Sequence, residues 1–185
     1  GFLRVAAACP PVRVADPDRN ADATLDVVLR ARERGVQVLV LPELGLTGYT
    51  CGDLFFSLST LVAGAERALD RVRRESSRLP IVVVIGLPVE QEGRLFNAAA
   101  VLQAGRVLGV VPKTYLPGYG EYYEERWFSS SRETRERETL VAAEAAQPAI
   151  RSWGRLEIRE KIDEGAFGEV FRAGGGLDPE FFAYY

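Results

Sequence analysis

Two short apolar runs, each ended by proline, stand on either side of one amphipathic stretch at the start of the chain. The runs are residues 2–9 and 36–41, and both are typical of buried strands. Between them, Asp16 offers a helix N-cap followed by proline, and Gly35 offers a C-terminal stop. The order strand, helix, strand predicts a parallel crossover unit and therefore an α/β fold.

The alternation continues as far as residue 111. Residues 58–74 repeat apolar side chains at helical spacing, and residues 81–85 form a third apolar run. Residues 95–103 and 106–111 predict two further strands, joined by a hairpin turn at Ala104-Gly105. The predicted order of elements is β-α-β-α-β-β-β. In the first helix, Leu25, Val28 and Leu29 share one face.

Composition excludes several kinds of chemistry. The 185 residues contain no histidine, which excludes a Ser-His-Asp triad and a His-ligated metal, so we expect no metal site. The net charge of −3 does not point to nucleic acid or to a membrane surface, and the longest apolar run, residues 81–89, is too short to span a bilayer. The two cysteines, Cys9 and Cys51, form no disulfide framework, which favours a reducing, cytoplasmic setting.

Two charged residues directly follow predicted strands, where ligand sites of α/β sheets gather. Glu43 comes after the second strand and Lys113 after the last. A carboxylate under apolar neighbours can act as a general base, and a fixed ammonium beside it can stabilise an oxyanion. We therefore expect the two charged groups to lie close together, at the ends of neighbouring strands. The alternative is a solvated loop glutamate and an ordinary surface lysine.

The segments around these residues resemble the nitrilase, or carbon–nitrogen hydrolase, superfamily. The glutamate stands in LPELGLTGY, residues 41–49, and the lysine in PKTYLP, residues 112–117. The flanking segments TCGDLF, residues 50–55, and GYGEYYEERWF, residues 118–128, are similar to the glutaminase domain of glutamine-dependent NAD synthetase. The resemblance covers residues 2–138 and implies part of an α-β-β-α sandwich, with L-glutamine as the substrate and a homo-oligomeric assembly.

The resemblance also implies a role for each matching residue. Glu43 corresponds to the general base, Lys113 to the residue that holds the charge of the tetrahedral intermediate, and Glu121 to a second acid near the lysine. Tyr49 and Tyr119 are expected to line the glutamine pocket, with aromatic packing as the alternative. No cofactor is expected in this domain, since ATP and the NAD precursor belong to a synthetase domain.

The chain departs from the family at the nucleophile. The family's cysteine lies beyond the lysine segment, whereas no cysteine follows Cys51 in these 185 residues. Cys51 does not stand at the nucleophile's place, and Cys9 ends a predicted buried strand, where a cysteine is usually an apolar packing residue. We therefore expect a glutamine amidohydrolase domain truncated before its nucleophile, without glutaminase turnover.

A second resemblance begins after a predicted linker, residues 139–152. Residues 153–173 resemble the glycine-rich loop of protein kinases, which makes Gly165 and Gly168 candidate nucleotide-binding residues. The alternative is a plain β-hairpin, because Asp163 replaces the first glycine and no kinase lysine strand follows. Residues 174–185 are then a tail. The functions that rival an amidase are thus an ATP-binding fragment and a non-catalytic interaction module.

Overall fold

The computed structural model describes residues 2–57, 59–133, 152–153, 156–165 and 168–174. The chain divides into two units, Leu3–Ala143 and a second made of Gly1–Phe2 and Glu144–Tyr185. In the described part, no helix is both long and apolar enough to cross a bilayer. Residues 139–151 of the predicted linker and 175–185 of the predicted tail lie outside the described residues. The predicted domain bounds therefore stay a prediction.

A five-stranded mixed sheet forms the centre of the larger unit. Its strands follow one another in chain order: β1 (Val5–Ala7), β2 (Val38–Val40), β3 (Val82–Gln91), β4 (Arg94–Gln103) and β5 (Arg106–Pro112). The first three strands are parallel, and the last three are paired antiparallel. The α/β fold predicted from the sequence is confirmed.

Two tight turns join the antiparallel strands. Ala104 and Gly105, with φ of 47° and 75°, form the predicted turn between β4 and β5. Glu92 and Gly93, with φ of 52° and 74°, form a turn between β3 and β4 that the sequence analysis missed. Positive φ at both central residues is what a type I′ hairpin turn requires.

The third strand is longer than its apolar run suggested, because it continues through Pro88. Strand β2 pairs with β3 only over Val82–Val84, so the later half of β3 has a single strand neighbour. A sheet tolerates proline on such an edge. The free edge of β3 also leaves room for the chain that follows β2.

Two long helices, α1 (Pro17–Glu33) and α3 (Ser59–Glu75), pack on the sheet, and a short helix, α2 (Leu54–Ser57), precedes α3. Asp16 caps α1 as predicted, because its side chain accepts a hydrogen bond from the Arg19 amide at 3.1 Å. The predicted buried face of α1 is confirmed at Val28 and, in part, at Leu25, but is wrong at Leu29. Ala21, Val28 and Ala31 are buried, whereas Leu29 is 52% exposed, so small residues carry the close contact.

The main core lies between these helices and one face of the sheet. Alternate residues of β3 and β4 supply the sheet side, since Val83, Ile85 and Leu87 stand opposite Leu102, Ala100 and Ala98. A second apolar cluster contains Leu44, Cys51, Phe55, Leu61 and Phe128. This second cluster packs the loop after β2 against the loop after β5, and both loops carry predicted site residues.

The smaller unit contains an antiparallel sheet of three strands, β6 (Ser152–Trp153), β7 (Leu156–Gly165) and β8 (Gly168–Gly174). Gly165 and Gly168 stand opposite each other where β7 and β8 meet. The predicted β-hairpin is therefore confirmed at the level of the backbone. The residues between the two glycines, 166 and 167, lie outside the described residues, and nucleotide binding by Gly165 and Gly168 stays a prediction.

Candidate active site

The loop after β2, residues 41–53 and hereafter the β2 loop, turns back sharply over β3. Its first amide, that of Leu41, still donates to the Val84 carbonyl at 3.0 Å, and the Leu46 amide donates to the Gly86 carbonyl at 3.2 Å. Leu44 is fully buried with a φ of 50°. The turn carrying Glu43 is therefore fixed by backbone bonds to β3 and by a buried leucine.

Gly86 is the position at which this turn touches β3. A Cβ atom there would lie 2.5 Å from both the Pro42 carbonyl oxygen and the Leu44 nitrogen, and 2.8 Å from the Glu43 Cα. Separations below 3.0 Å cannot persist, so a side chain would push the turn outward. The missing side chain of Gly86 thus allows Glu43 to lie directly above the sheet.

The loop after β5, residues 113–130 and hereafter the β5 loop, begins with Lys113. The Lys113 amide donates to the Asn97 carbonyl of β4 at 2.7 Å, which extends the sheet pairing by one residue. Further along, Glu124 opens a short 3₁₀ turn, Glu124–Arg126. The Glu124 amide donates to the Pro117 carbonyl at 3.1 Å, and this bond folds the loop back toward Lys113.

The two loops bring three charged groups into direct contact. The Lys113 ammonium donates to Glu43 Oε1 at 2.7 Å and to Glu124 Oε1 at 3.0 Å. Glu43 is 44% exposed, whereas the Glu124 side chain is only 2% exposed. One carboxylate therefore faces solvent and the other is enclosed, with a single ammonium between them.

Glu43 and Lys113 lie close together, as the sequence analysis predicts, but the strands that carry them are not neighbours. We expected neighbouring strands, whereas β3 and β4 separate β2 from β5. The β2 loop closes this distance by crossing β3 at Gly86, where the free edge of β3 accepts it. The antiparallel hairpin of β3 and β4 returns β5 to the direction of β2, so both residues emerge at the same edge of the sheet.

Asn97 is a site residue that the sequence analysis missed. It is 3% exposed, and its Nδ2 atom donates to Glu43 and, at 3.4 Å, to Glu124 Oε2. The signal was present in the sequence, because Asn97 is a lone amide inside the otherwise apolar stretch 95–102. Glu43, Asn97, Lys113, Glu124 and Tyr49 are hereafter the polar cluster.

The second acid predicted at Glu121 is corrected to Glu124. Glu121 is exposed in the turn that follows Gly120, and no hydrogen bond or ion pair of Glu121 occurs within the described residues. Glu124 lies three residues later, where the 3₁₀ turn directs its side chain inward. Both acids stand in the same motif, and only the path of the β5 loop separates their environments.

The two predicted pocket tyrosines have different positions. The Tyr49 hydroxyl donates to Glu124 Oε1 at 2.6 Å, and burial, followed by the hydrogen bond to Glu124, raises the pKa of Tyr49 well above its usual range. Tyr119 is 55% exposed. Tyr122 lies between them, with its ring 6.3 Å from that of Tyr49 and 6.0 Å from that of Tyr119. The aromatic row thus leads from the polar cluster to solvent.

The charge of Lys113 is maintained by its two carboxylate partners. Burial lowers the pKa of this ammonium, but the hydrogen bonds and charges of Glu43 and Glu124 outweigh that effect. The net result is a raised pKa. Lys113 is therefore a fixed positive charge at neutral pH, suited to stabilise negative charge and unsuited to act as a base.

Neither cysteine is placed as a nucleophile. Cys51 is 4% exposed in the second apolar cluster, and its thiol donates to the Thr47 carbonyl at 3.1 Å. Burial raises the pKa of the Cys51 thiol, which disfavours the reactive thiolate. Cys9 lies two residues beyond β1 and is exposed, so the expectation that it packs as a buried apolar residue is wrong. Within the described residues no group of three or more His, Cys, Asp or Glu side chains has the arrangement of a metal site.

Comparison with known proteins places the chain in a family. The carbon-nitrogen hydrolase family model matches residues 4–170, and so extends across the predicted linker into the segment 153–173. The glutamine-dependent NAD(+) synthetase of Mycobacterium tuberculosis H37Rv is 42% identical over 126 residues, which are 68% of this chain and 18% of that protein. That of Thermotoga maritima is 34% identical over 131 residues, 71% of this chain and 22% of that protein.

Solved structures show the same relationship. A glutamine-dependent NAD(+) synthetase from Cytophaga hutchinsonii is 31% identical with a TM-score of 0.66, over 70% of this chain and 22% of that one. An amidase variant of the nitrilase superfamily from Nesterenkonia is 30% identical with a TM-score of 0.59, over 69% of this chain and 48% of that one. The chain thus spans about a fifth of the length of the synthetases it matches. From its fold, its polar cluster and these matches, the chain belongs to the carbon–nitrogen hydrolase family.

Proposed function

We propose that this chain carries the acid–base and charge-stabilising part of a glutamine amidohydrolase site. The observation that supports the proposal most is the Lys113 ammonium held between Glu43 and Glu124, at 2.7 and 3.0 Å, at the carboxyl end of the sheet. Carbon–nitrogen hydrolysis needs a base for the nucleophile and a fixed positive charge for the developing oxyanion. Glu43 and Lys113 offer these two functions side by side.

In this mechanism the half-exposed Glu43 accepts the proton of a thiol, and the thiolate attacks the amide carbonyl carbon. The carbonyl oxygen becomes an oxyanion beside Lys113, and the carbon–nitrogen bond then breaks as Glu43 returns its proton to the leaving ammonia. Water then attacks the thioester carbonyl carbon and the carbon–sulfur bond breaks, which releases glutamate and regenerates the protonated thiol. Cys9 and Cys51 are the two thiols of these 185 residues. The Cys51 thiol donates to the Thr47 carbonyl, and within the described residues neither thiol has a hydrogen bond to Glu43 or Lys113.

Glu124 has a different role from Glu43 in this proposal. It is enclosed, and it accepts hydrogen bonds from Lys113 and Tyr49 on the same oxygen, Oε1. Glu43 also accepts two hydrogen bonds on its Oε1, from Lys113 and Asn97. Within the described residues its Oε2 accepts none, whereas the Oε2 of Glu124 accepts from Asn97 at 3.4 Å, so the exposed Glu43 is better placed to take a further proton. We propose that Glu124 holds the Lys113 ammonium in position while Glu43 exchanges the proton.

L-glutamine is the proposed substrate, because several related proteins are glutamine-dependent synthetases. Tyr49, Tyr122 and Tyr119 form the edge-on row of rings beside the polar cluster, and we propose that this row lines the path of the amide.

The amide hydrolysis proposed for this site needs no cofactor. We propose that any ATP or NAD precursor binds to a synthetase domain instead. The cytoplasmic setting stays a prediction.

A chimera tests this function. The 126 aligned residues of the Mycobacterium tuberculosis synthetase are replaced by those of this chain, and NAD formation is measured with glutamine or with ammonia as the nitrogen source. We expect glutamine to support synthesis. Glu43→Gln and Lys113→Met should each reduce the glutamine-dependent rate by about 100-fold or more, because each removes a transition-state interaction. Ammonia-dependent synthesis should be unchanged. Undiminished glutamine use by Glu43→Gln would refute the proposal.

The chain by itself supplies a second test. We expect the 185 residues to release no ammonia from glutamine, because the Cys51 thiol is buried and its pKa is raised. Cys51→Ser should leave this background unchanged. Ammonia release that disappears in Cys51→Ser would assign the nucleophile to Cys51 and overturn the mechanism above.

We also propose that the chain self-associates through the sheet face opposite the helices. Val40, Val84 and Val101 stand side by side on that face and are partly exposed, and Val111 is 59% exposed. Apolar faces of this kind favour association. Light scattering should show a dimer or larger species that Val111→Lys weakens. A monodisperse monomer at micromolar concentration would contradict this expectation.

A further inference from the structure

Asp53, Arg126 and Trp127 form a polar contact outside the polar cluster, hereafter the loop clamp. Asp53 lies at the end of the β2 loop, and the other two residues lie in the β5 loop. The Arg126 guanidinium donates to both carboxylate oxygens of Asp53, at 2.8 and 3.0 Å, and the Trp127 indole N–H donates to Oδ1 at 2.9 Å. Bidentate arginine–carboxylate pairs are both strong and directional.

The loop clamp lies a short way along the backbone from the polar cluster in both loops. Arg126 ends the 3₁₀ turn that Glu124 begins, and Tyr49, the partner of Glu124, lies four residues before Asp53. Two residues beyond Asp53 and two beyond Arg126 along the chain, the rings of Phe55 and Phe128 meet with centroids 5.1 Å apart. Three contacts therefore join the two segments: the buried hydrogen bond between Tyr49 and Glu124, the packing of the two phenylalanine rings, and the exposed loop clamp.

An exposed ion pair usually contributes little to stability, since water screens it and side-chain entropy opposes it. The side chains of Asp53 and Arg126 are about 60% exposed, but the loop clamp has three hydrogen bonds that join Asp53 to the end of the 3₁₀ turn. Its effect should therefore appear in the position of Glu124 more than in the free energy of unfolding. The hydrogen bonds from Arg126 and Trp127 hold the pKa of Asp53 at about 2, so the carboxylate stays charged near neutral pH.

We propose that Asp53 is a positioning residue, which orients the 3₁₀ turn of the β5 loop through Arg126 and Trp127 and so holds Glu124 against Lys113. The inference extends the proposed function, since it names the residue that maintains the geometry of Lys113. Its test does not require the proposed activity, because the pKa of Lys113 depends on the contact with Glu124 whether or not the chain hydrolyses glutamine.

Lysine Nζ NMR on the full chain provides the measurement. The sequence has two lysines, Lys113 and Lys161, so ¹⁵N-labelled lysine gives two side-chain signals, which Lys161→Arg assigns. We expect Asp53→Asn to lower the pKa of Lys113, because Glu124 moves away from the ammonium. We expect Arg126→Gln to lower it as well, for the same reason.

The direction of the Arg126→Gln shift decides between positioning and a direct effect of charge. Removing a negative charge from Asp53 lowers the pKa of a nearby ammonium by itself, whereas removing the positive charge of Arg126 raises it. Two downward shifts support the proposal. Shifts in opposite directions, or no shift in either variant, overturn it.

Two further variants keep the test clear. Trp127→Phe removes one hydrogen bond to Asp53 without a change of charge, and should produce a smaller downward shift; it also replaces Arg126→Gln if that variant does not fold. Asp22→Asn removes the partly exposed Asp22–Arg71 ion pair, which is 2.7 Å long and joins the two long helices, and should leave the pKa of Lys113 unchanged. An equal shift in Asp22→Asn would also contradict the proposal.

Discussion

The main core and the polar cluster bury their central residues to the same extent, but different kinds of contact hold the two regions together. Leu102 and Glu124 are each 1% exposed. Leu102 packs among many interchangeable apolar neighbours, whereas Glu124 has three specific partners, Lys113, Tyr49 and Asn97. Apolar burial is non-directional, but an enclosed charge is tolerated only while its partners are present. The core therefore stabilises the fold, and the cluster depends on a particular geometry.

The largest effect on stability should come from the main core. Leu102→Ala leaves a cavity between β4 and the helices, so we expect the free energy of unfolding to fall by about 2–5 kcal/mol. The pKa of Lys113 should not change, since Leu102 lies at the opposite end of β4 from Asn97. Chemical denaturation and lysine NMR measure the two quantities. The matched control is Leu29→Ala, at a helix position that is 52% exposed. A large loss of stability in this control would show that the assignment of the buried face is wrong.

Glu124→Gln should give the next largest loss of stability and, in contrast, alter the site. The amide keeps the shape but removes the enclosed charge, and we expect a cost of about 2–3 kcal/mol because Lys113 retains Glu43. The pKa of Lys113 and that of Tyr49 should both fall, because Glu124 raises each of them. Denaturation and NMR titration provide the measurements. Glu121→Gln, in an exposed turn, should change neither. If Glu121→Gln lowers the pKa of Lys113 and Glu124→Gln does not, then Glu121, and not Glu124, is the second acid of the site.

Gly86→Ala connects the two regions, since Gly86 lies in β3 beneath the turn that carries Glu43. The added Cβ atom meets backbone at 2.5 Å, so we expect a loss of about 1–3 kcal/mol and an outward shift of the turn. The pKa of Lys113 should then fall as Glu43 withdraws. Gly118→Ala is the control, because its nearest contact would be the flexible Glu125 side chain at 3.5 Å. An unchanged Lys113 pKa in Gly86→Ala would show that Glu43 reaches the lysine without this close approach.

The smallest effect should be that of the exposed Asp53, and it should depend on pH. The pKa of Asp53 is lowered from 3.8 to about 2 in the folded chain, first by the hydrogen bonds that it accepts from Arg126 and then by the one that it accepts from Trp127. The unfolded chain therefore binds the proton more tightly, so the contribution of Asp53 is complete above about pH 4 and disappears as pH falls toward 2. We expect the stability difference between the natural chain and Asp53→Asn to follow this course. If the stability difference is unchanged at pH 2, the charge of Asp53 is not its cause.

Some features of the site were predictable from the sequence because they follow from local pattern. Glu43 and Lys113 each come within three residues of the end of an apolar strand, and the ends of such strands meet at one edge of an α/β sheet. The Ala104–Gly105 turn and the Asp16 cap also depend on residues next to one another in the chain. In each case the relevant physics acts within a few residues.

Other features depend on contacts between distant segments, and the sequence analysis missed them. Asn97 joins two acids that come from different loops, and the choice of Glu124 over Glu121 depends on the direction of one 3₁₀ turn. The separation of β2 from β5 by two strands likewise required the pairing of β3 with β4. Residues far apart in sequence carry no local signal of such pairings.

The sequence by itself therefore determined the α/β class, the strand ends that hold Glu43 and Lys113, and the family, because periodicity and motifs are local properties. The tertiary structure decided which acids reach the lysine, since that depends on how the β2 loop crosses β3 at Gly86 and how the loop clamp orients the β5 loop. Hydrogen bonds and ion pairs act over about 3 Å. Only the packed fold brings groups from positions 43, 97, 113 and 124 within that distance.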